Sequence, residues 1–238
     1  MDITEYFPKA YAINLTSRPD RRREMDRMLQ RMGLSADGGW VEYFPGVKVN
    51  SADGFRNAGV RGCFLSHLGV YKKALDEGLP NVLVMEDDLE IEPDFMEKSA
   101  TLVEALRRHE NWGFAYFGHI LEDDPRHDPA SPLRVATGTI MMGHFYAING
   151  PVLPRLVRFF EDVLKRPPGH PDGGPMFNDG ACNMFRARNP DVLTLVAQPN
   201  LGRQRGSRSD LSTQWFDKIP GVRELAETAR SLRRHYRI

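Results

Sequence analysis

The spacing of apolar residues changes repeatedly along the chain, and each change marks an element. Tyr11-Ala12-Ile13-Asn14-Leu15 reads as a short buried strand. It stops at Thr16-Ser17-Arg18-Pro19, where Ser17 suits a helix N-cap and Pro19 a first turn. Met25, Met28, Leu29 and Met32 follow at helical spacing, and Gly33 closes that helix. Residues 34–62 are weakly patterned, with short strand candidates at Val41–Phe44 and Gly46–Val49. Phe64, Leu65, Leu68, Tyr71 and Leu75 share one helical stripe in a helix expected to start at Cys63 and stop at Gly78 and Pro80. Val82-Leu83-Val84-Met85 is a continuous apolar run, as expected of a strand covered on both faces. Further on, the pattern predicts a helix over Asp94–His109, a strand at Phe114–Phe117 and a polar loop at 122–134. It then predicts a strand pair, Val135–Met142 and His144–Ile148, broken at Gly143. A helix over Pro151–Leu164 leads to a Pro/Gly-rich loop or lid at 166–175. Helix Met176–Arg186, strand Val192–Val196, a polar loop at 200–209 and a basic helix at 219–236 complete the chain. Alternating strands and helices predict an α/β fold, a mostly parallel sheet flanked by helices, with ligands at the carboxyl ends of its strands.

Composition narrows this picture without redirecting it. The 238 residues are 41% hydrophobic and 27% charged, which suits a globular α/β protein and excludes collagen-like, coiled-coil and disordered chains. No apolar stretch approaches the roughly 20 residues of a spanning helix. The opening Met1-Asp2-Ile3-Thr4-Glu5 lacks the basic-then-apolar pattern of a secretory leader. Cys63 and Cys182 are too far apart in sequence for a zinc motif or a disulfide framework. A cytoplasmic protein is expected.

Lys+Arg and Asp+Glu are 32 each, so the net charge is zero, but the charges are partitioned. Residues 76–97 carry nine acidic residues and no basic one. Residues 17–31 carry six Arg against three acids, and 221–238 five Arg against two Glu. An acidic centre between Arg-rich ends suits a metal site handling an anionic substrate; solvated helix faces would give the same counts. The Arg residues are interleaved with acids and lack stacked aromatics, so a nucleic-acid partner is not expected. The basic tail could touch an anionic membrane surface, peripherally at the inner membrane, or form an ordinary exposed helix.

The most informative local feature is Glu86-Asp87-Asp88, placed directly after the buried strand. Three adjacent carboxylates repel, and a divalent cation relieves that repulsion. Oxygen donors favour Mn²⁺ or Mg²⁺. In an extended segment Glu86 and Asp88 share one side and would hold the metal, while Asp87 faces the other and could orient the chain or a sugar hydroxyl. A metal held by few carboxylates completes its shell with phosphates, which points to a nucleoside diphosphate substrate. His67 could bond a phosphate, a sugar hydroxyl or a backbone carbonyl. Cys63 is expected to be a small buried residue. Asp179 is either a helix-start acid or a general base. Arg203, Arg205 and Arg208 either clamp a diphosphate or form an exposed basic loop.

Ile13-Asn14-Leu15 with Arg18, Asp20 and Arg21, then Gly62-Cys63-Phe64-Leu65-Ser66-His67-Leu68, then Val84-Met85-Glu86-Asp87-Asp88, resemble in order the blocks of glycosyltransferase family 25. Phe145-Tyr146-Ala147-Ile148 is similar to a later aromatic strand of that family. Pro199, Gln204, Ser209 and Asp210 resemble its terminal block. The family includes bacterial lipopolysaccharide sugar transferases and collagen galactosyltransferases. The resemblance implies a single GT-A domain over 1–238, with a nucleotide-sugar and metal half at 1–120 and an acceptor half at 121–238. It also implies a UDP-sugar donor, often UDP-galactose, a divalent metal, a saccharide acceptor and transfer with inversion. In that frame Glu86 and Asp88 hold the metal, and Asn14 and Arg18 line the nucleotide end with support from Arg21. Ser66 and His67 lie near the donor, with Asp87, Gln204 and Arg205 as further substrate contacts. Asp179 is the first candidate for the base and Asp210 the second. Two alternatives remain beside it: a nucleotide-sugar hydrolase or nucleotidyltransferase using the same acidic site, and a non-catalytic cation- and partner-binding module.

Overall fold

Segments that are apolar on one stripe or on both faces bury those surfaces against one another, and here they do so in three layers. The computed structural model describes residues 1–34, 39–121 and 131–205. Asp210, Ser209, Arg208, most of the 122–134 loop and the basic tail lie outside the described residues. The elements below all belong to the unit Met1–Gln204.

In chain order the elements are α1 (Ile3–Tyr6), β1 (Ala10–Asn14), α2 (Pro19–Arg31), β2 (Val41–Pro45), α3 (Ala58–Asp76), β3 (Asn81–Glu86), β4 (Leu89–Ile91) and α4 (Phe95–Arg107). They continue with β5 (Trp112–Leu121), β6 (Leu133–Val135), β7 (Ile140–Asn149), α5 (Leu153–Lys165), α6 (Asn178–Arg188), β8 (Leu193–Ala197) and β9 (Gly202–Gln204). Seven strands form one sheet in the order β2-β1-β3-β7-β5-β8-β6, and β4 pairs with β9 in a separate two-stranded ribbon. The α/β class expected from the alternation stands. The sheet is mixed rather than mostly parallel. β1 pairs with β2 and β3, and β5 with β8, in parallel, while β3–β7, β7–β5 and β8–β6 are antiparallel.

Strand alternation sends one set of side chains to each face. Ala10, Ala12, Leu83, Met85, Phe117, Phe145 and Ala147 join Met25, Met28 and Leu29 of α2 and Phe95, Leu102, Val103 and Leu106 of α4 in one core. On the opposite face α3, α5 and α6 pack through rings: Phe64 stacks on Phe160 at 4.6 Å, and Phe114 meets Phe185 edge-on at 6.1 Å. No helix among the described residues is long and apolar enough to cross a membrane.

Several boundaries differ from the sequence reading. α2 is capped by Arg18 rather than Ser17, with no side-chain cap bond. α3 starts at Ala58, where the Asn57 side chain accepts from the Val60 amide. Gly59 and Gly62 mask that turn in the sequence, because packing overrides their poor helix propensity. The predicted break at Gly143 is a bulge inside one continuous β7. Met142 takes φ +60 there, and the β5–β7 register shifts between Gly118 and Ile120. Val135 belongs to β6, which pairs with β8.

Gly62 explains part of its block in packing terms. A Cβ there would meet the Val47 carbonyl oxygen at 2.5 Å. One turn on, Ser66 Oγ accepts from the Val47 amide at 2.8 Å and donates to the Gly62 carbonyl at 2.7 Å. Gly62 and Ser66 thus clasp the Val47 peptide against α3. Gly62→Ala is expected to cost roughly 1–3 kcal/mol through forced displacement of that peptide. A thermal melt equal to wild type would show that the loop yields freely.

Candidate active site

β3 carries Glu86 to the carboxyl edge of the sheet because residues 81–85 are all buried and fix the strand. The extended alternation ends there. Asp87 and Asp88 form a turn before β4, so their directions are set by partners and not by strand period.

Asp87 turns toward β1. Asn14 Nδ2 donates to its Oδ2 at 2.7 Å and Arg21 Nη1 to its Oδ1 at 2.7 Å. The same Arg21 Nη1 lies 3.2 Å from Asp88 Oδ2, and all three side chains are buried. Gln204 Nε2 also donates to Asp88 Oδ2, at 3.2 Å, because β9 pairs with β4 immediately after the turn. Asp88 Oδ1 is buried without a hydrogen-bond partner among the described residues. Burial, and then the charge of Glu86, push the Asp88 carboxyl up to about 7, against the pull of Arg21. Asn14, Arg21, Asp87, Asp88 and Gln204 are therefore one contiguous cluster.

Glu86 faces a second group. Its side chain is 24% exposed, and His67 Nε2 lies 3.2 Å from its Oε1. His67, 1% exposed on α3, contacts Tyr146 Oη of β7 through Nδ1 at 2.7 Å, and Tyr146 Oη contacts Tyr71 Oη at 2.6 Å. Burial raises both phenols well above their ordinary range, so this chain carries hydroxyls rather than phenolates. Cys63, one turn before His67, places Sγ within the same group.

The remaining sequence candidates are spread around these two clusters. Arg18 donates through Nε and Nη2 to Asp20, and this holds the Asp20 carboxyl at about 2. Its carbonyl accepts from Asn14 Nδ2 at 3.3 Å, which ties the first loop to β1. The Ser66 hydroxyl is committed to Val47 and Gly62. Asp179 lies in the first turn of α6 but does not cap it; its Oδ2 accepts from the amide of Met142, the left-handed residue of the β7 bulge, at 3.0 Å. Its charge is felt at Cys63 together with those of Glu86 and Asp88, so α6 brings it to the same edge. Arg203 is exposed and lies 3.5 Å from Glu92. Arg205 belongs to the stretch beyond Gln204, and Asp210 lies outside the described residues.

Sequence reasoning did not single out Tyr71, Tyr146 or His144 as site residues. His144 is 4% exposed in the β7 bulge. Desolvation lowers its pKa, with Glu86 acting in the opposite direction. Gly118 makes room for its ring, since a Cβ there would come within 2.6 Å of His144 Nε2. The only sequence signal for this packing was the pair Gly118 and Gly143 inside otherwise bulky strands.

Chemically, the buried carboxylates Asp87 and Asp88 share the Arg21 guanidinium, and the partly exposed Glu86 is near enough for its charge to act on Asp88. The donor set is dominated by oxygen, one buried carboxylate oxygen lacks a partner among the described residues, and negative charge is in excess. A divalent cation beside Glu86 and Asp88 fits all three facts.

Comparison with known proteins agrees with the resemblance read from the sequence. Residues 57–140 match the family model described as Glycosyltransferase family 25 (LPS biosynthesis protein). A Glycosyltransferase 25 family member of Aedes aegypti is 30% identical over 230 residues, covering 79% of this chain and 36% of that protein. Procollagen galactosyltransferase 2 of Mus musculus is 32% identical over 129 residues, 47% of this chain and 21% of that protein. The Inactive glycosyltransferase 25 family member 3 of Homo sapiens is 31% identical over 129 residues, 47% of this chain and 22% of that protein. The aligned part of this chain thus spans about a third or less of these relatives' length. Among solved structures, the mannose-1-phosphate geranyltransferase from Thermus thermophilus superposes with a TM-score of 0.42 at 12% identity, covering 83% of this chain and 74% of that one.

Proposed function

The chain is a relative of glycosyltransferase family 25, with the family region at residues 57–140, and on that premise we propose that it is a metal-dependent inverting glycosyltransferase. The donor would be a nucleoside diphosphate sugar, with UDP-galactose the first to test, and the acceptor a saccharide hydroxyl, as in surface polysaccharide or lipopolysaccharide assembly. The single observation that carries this reading is Asp88: a buried carboxyl with an unpartnered oxygen, repelled by Glu86 at the carboxyl edge of a sheet.

Glu86 and Asp88 would hold Mn²⁺ or Mg²⁺. Such a cation, when bound, neutralises charge developing on the leaving diphosphate. Asn14 and Arg21 occupy both Asp87 oxygens, whereas Asp88 keeps Oδ1 without a partner among the described residues and the Glu86 side chain is partly exposed, so these two are the carboxylates proposed to meet the cation. Gln204 orients Asp88 through Oδ2 and leaves Oδ1 for a ligand. Inversion needs a base on the acceptor side. Asp179 is assigned that role: among the described residues only its Oδ2 is engaged, and the Met142 amide fixes the carboxylate's orientation. Asp179→Asn keeps that acceptor and is expected to lower kcat about 10²-fold with little change in donor affinity. Turnover within about threefold of wild type would remove Asp179 from the mechanism and leave Asp210 as the candidate base.

The experiment that tests the function is a screen of sugar nucleotides by thermal shift, with and without Mn²⁺, followed by product analysis with and without a saccharide acceptor. Mn²⁺-dependent stabilisation and an acceptor-dependent glycoside are expected. Free sugar released at the same rate without acceptor would indicate a hydrolase. The inactive human relative gives the non-catalytic alternative a specific basis; donor binding without any turnover would favour it.

A further inference from the structure

Cys63 and His67 lie one helical turn apart on α3 and present their side chains to the end of β3, where Glu86 leaves the sheet. One ligand atom from each residue lies within 4.8 Å of the other two, and His67 Nε2 is already 3.2 Å from Glu86 Oε1. Zinc bonds of about 2.0–2.3 Å put tetrahedral ligand atoms roughly 3.3–3.8 Å apart, so only small rotations of these side chains are needed. We propose that Cys63 Sγ, His67 Nε2 and a Glu86 carboxylate oxygen form a three-ligand zinc site with an open fourth position.

Three features support this beyond proximity. The donors are one sulfur, one nitrogen and one oxygen, a set that suits zinc and not Mg²⁺ or Ca²⁺. Tyr146 sits on His67 Nδ1 at 2.7 Å and is itself backed by Tyr71 at 2.6 Å. With Nδ1–H donating to Tyr146 Oη, the Nε2 lone pair is directed toward Glu86, which is the outer-shell arrangement that orients a ligating histidine. A thiolate and a carboxylate also balance the 2+ charge, so the bound site is neutral in its largely buried setting. On binding, the S–H bond breaks and a Zn–S bond forms, and the proton leaves to solvent.

The site stands apart from the oxygen-donor pair of the proposed function, because it requires Cys63 and not Asp88. Glu86 is common to both, so on that reading zinc withdraws Glu86 from Asp88 and opposes Mn²⁺-supported turnover.

The test is titration of the 238-residue protein with Co²⁺ as an optical stand-in for zinc. An intense sulfur-to-cobalt charge-transfer band is expected, abolished by one equivalent of Zn²⁺ and absent in Cys63→Ser. It should persist in Cys182→Ser and in Asp88→Asn, the second of which separates this site from the donor-binding reading. No charge-transfer band in wild type, or a band that survives Cys63→Ser, overturns the assignment. Should Cys63→Ser not fold, wild-type protein serves: one equivalent of Zn²⁺ is expected to slow alkylation of Cys63 more than about tenfold, read by peptide mass. Unchanged alkylation overturns the proposal.

Discussion

Asp88→Asn is expected to reduce glycosyl transfer by about 10³-fold or more at saturating Mn²⁺ while making the cation-free protein more stable at about pH 8. The two effects have one cause. Asp88 is buried, faces the charge of Glu86, and has one oxygen without a partner among the described residues. In an active complex its ionised form would complete the oxygen donors for the cation on the diphosphate. Losing that stabilisation is of the size seen when charge compensation is removed from a transition state. Without a cation the same carboxylate is a liability. Its folded value is about 7 against an ordinary 3.8. Between about pH 4 and pH 7 the folded protein therefore holds a proton that the unfolded chain has released. Stability falls as pH rises through that window and levels off above it. The upper limit of the loss is on the order of 4 kcal/mol. Asparagine still accepts from Gln204 and Arg21 but has no charge to bury. Melting curves in EDTA at about pH 4.5 and pH 8 measure the slope directly. Identical pH profiles for wild type and Asp88→Asn would show that Asp88 is ionised throughout, and a cation site at Asp88 would lose its main support.

Arg21→Met is expected to destabilise the protein by roughly 3–5 kcal/mol, because removing one member of a buried ion cluster leaves the others uncompensated. Arg21 Nη1 serves both Asp87 and Asp88, at 2.7 and 3.2 Å. The methionine keeps most of the hydrophobic stem, so the loss reports charge and not volume. A double-mutant cycle gives the control: Asp87→Asn should cost less in the Arg21→Met background than in wild type, by about 1 kcal/mol or more. Denaturant midpoints measure both. Strict additivity would mean that the Arg21–Asp87 contact contributes nothing to folding.

The two clusters differ in how far the sequence announced them. Glu86-Asp87-Asp88 was legible because three adjacent carboxylates at the end of a continuous apolar strand are costly without a counter-charge. Asn14 and Arg21 were legible as part of the first strand and the loop and helix that follow it. What could not be read was the division of labour. Extended alternation put Glu86 and Asp88 together and Asp87 opposite, but the chain turns at Asp87. Arg21 and Asn14 then draw Asp87 back toward β1, and Arg21 also reaches Asp88. Gln204 was flagged only by resemblance; it reaches Asp88, 116 residues away, because two three-residue strands pair. Strands that short carry no periodic signal.

By itself the sequence determined the local quantities. Helical stripes such as Met25-Met28-Leu29 and the two-faced burial of Val82–Met85 follow from spacing alone, since each depends only on neighbours a turn or two away. Together with the block order around Cys63–His67 and Glu86–Asp88, they determined the α/β class and the family resemblance. Tertiary structure alone decided the pairings. The insertion of antiparallel β7 between β3 and β5 makes the sheet mixed and sets Tyr146 beside His67, 79 residues apart. The β7 bulge turns the Met142 amide to Asp179 and lodges His144 against Gly118. Strand partners and registers are chosen by competition among whole packed surfaces, in which one residue of shift exchanges every inward and outward side chain. No local window contains that competition, and the contacts that define the site are its outcome.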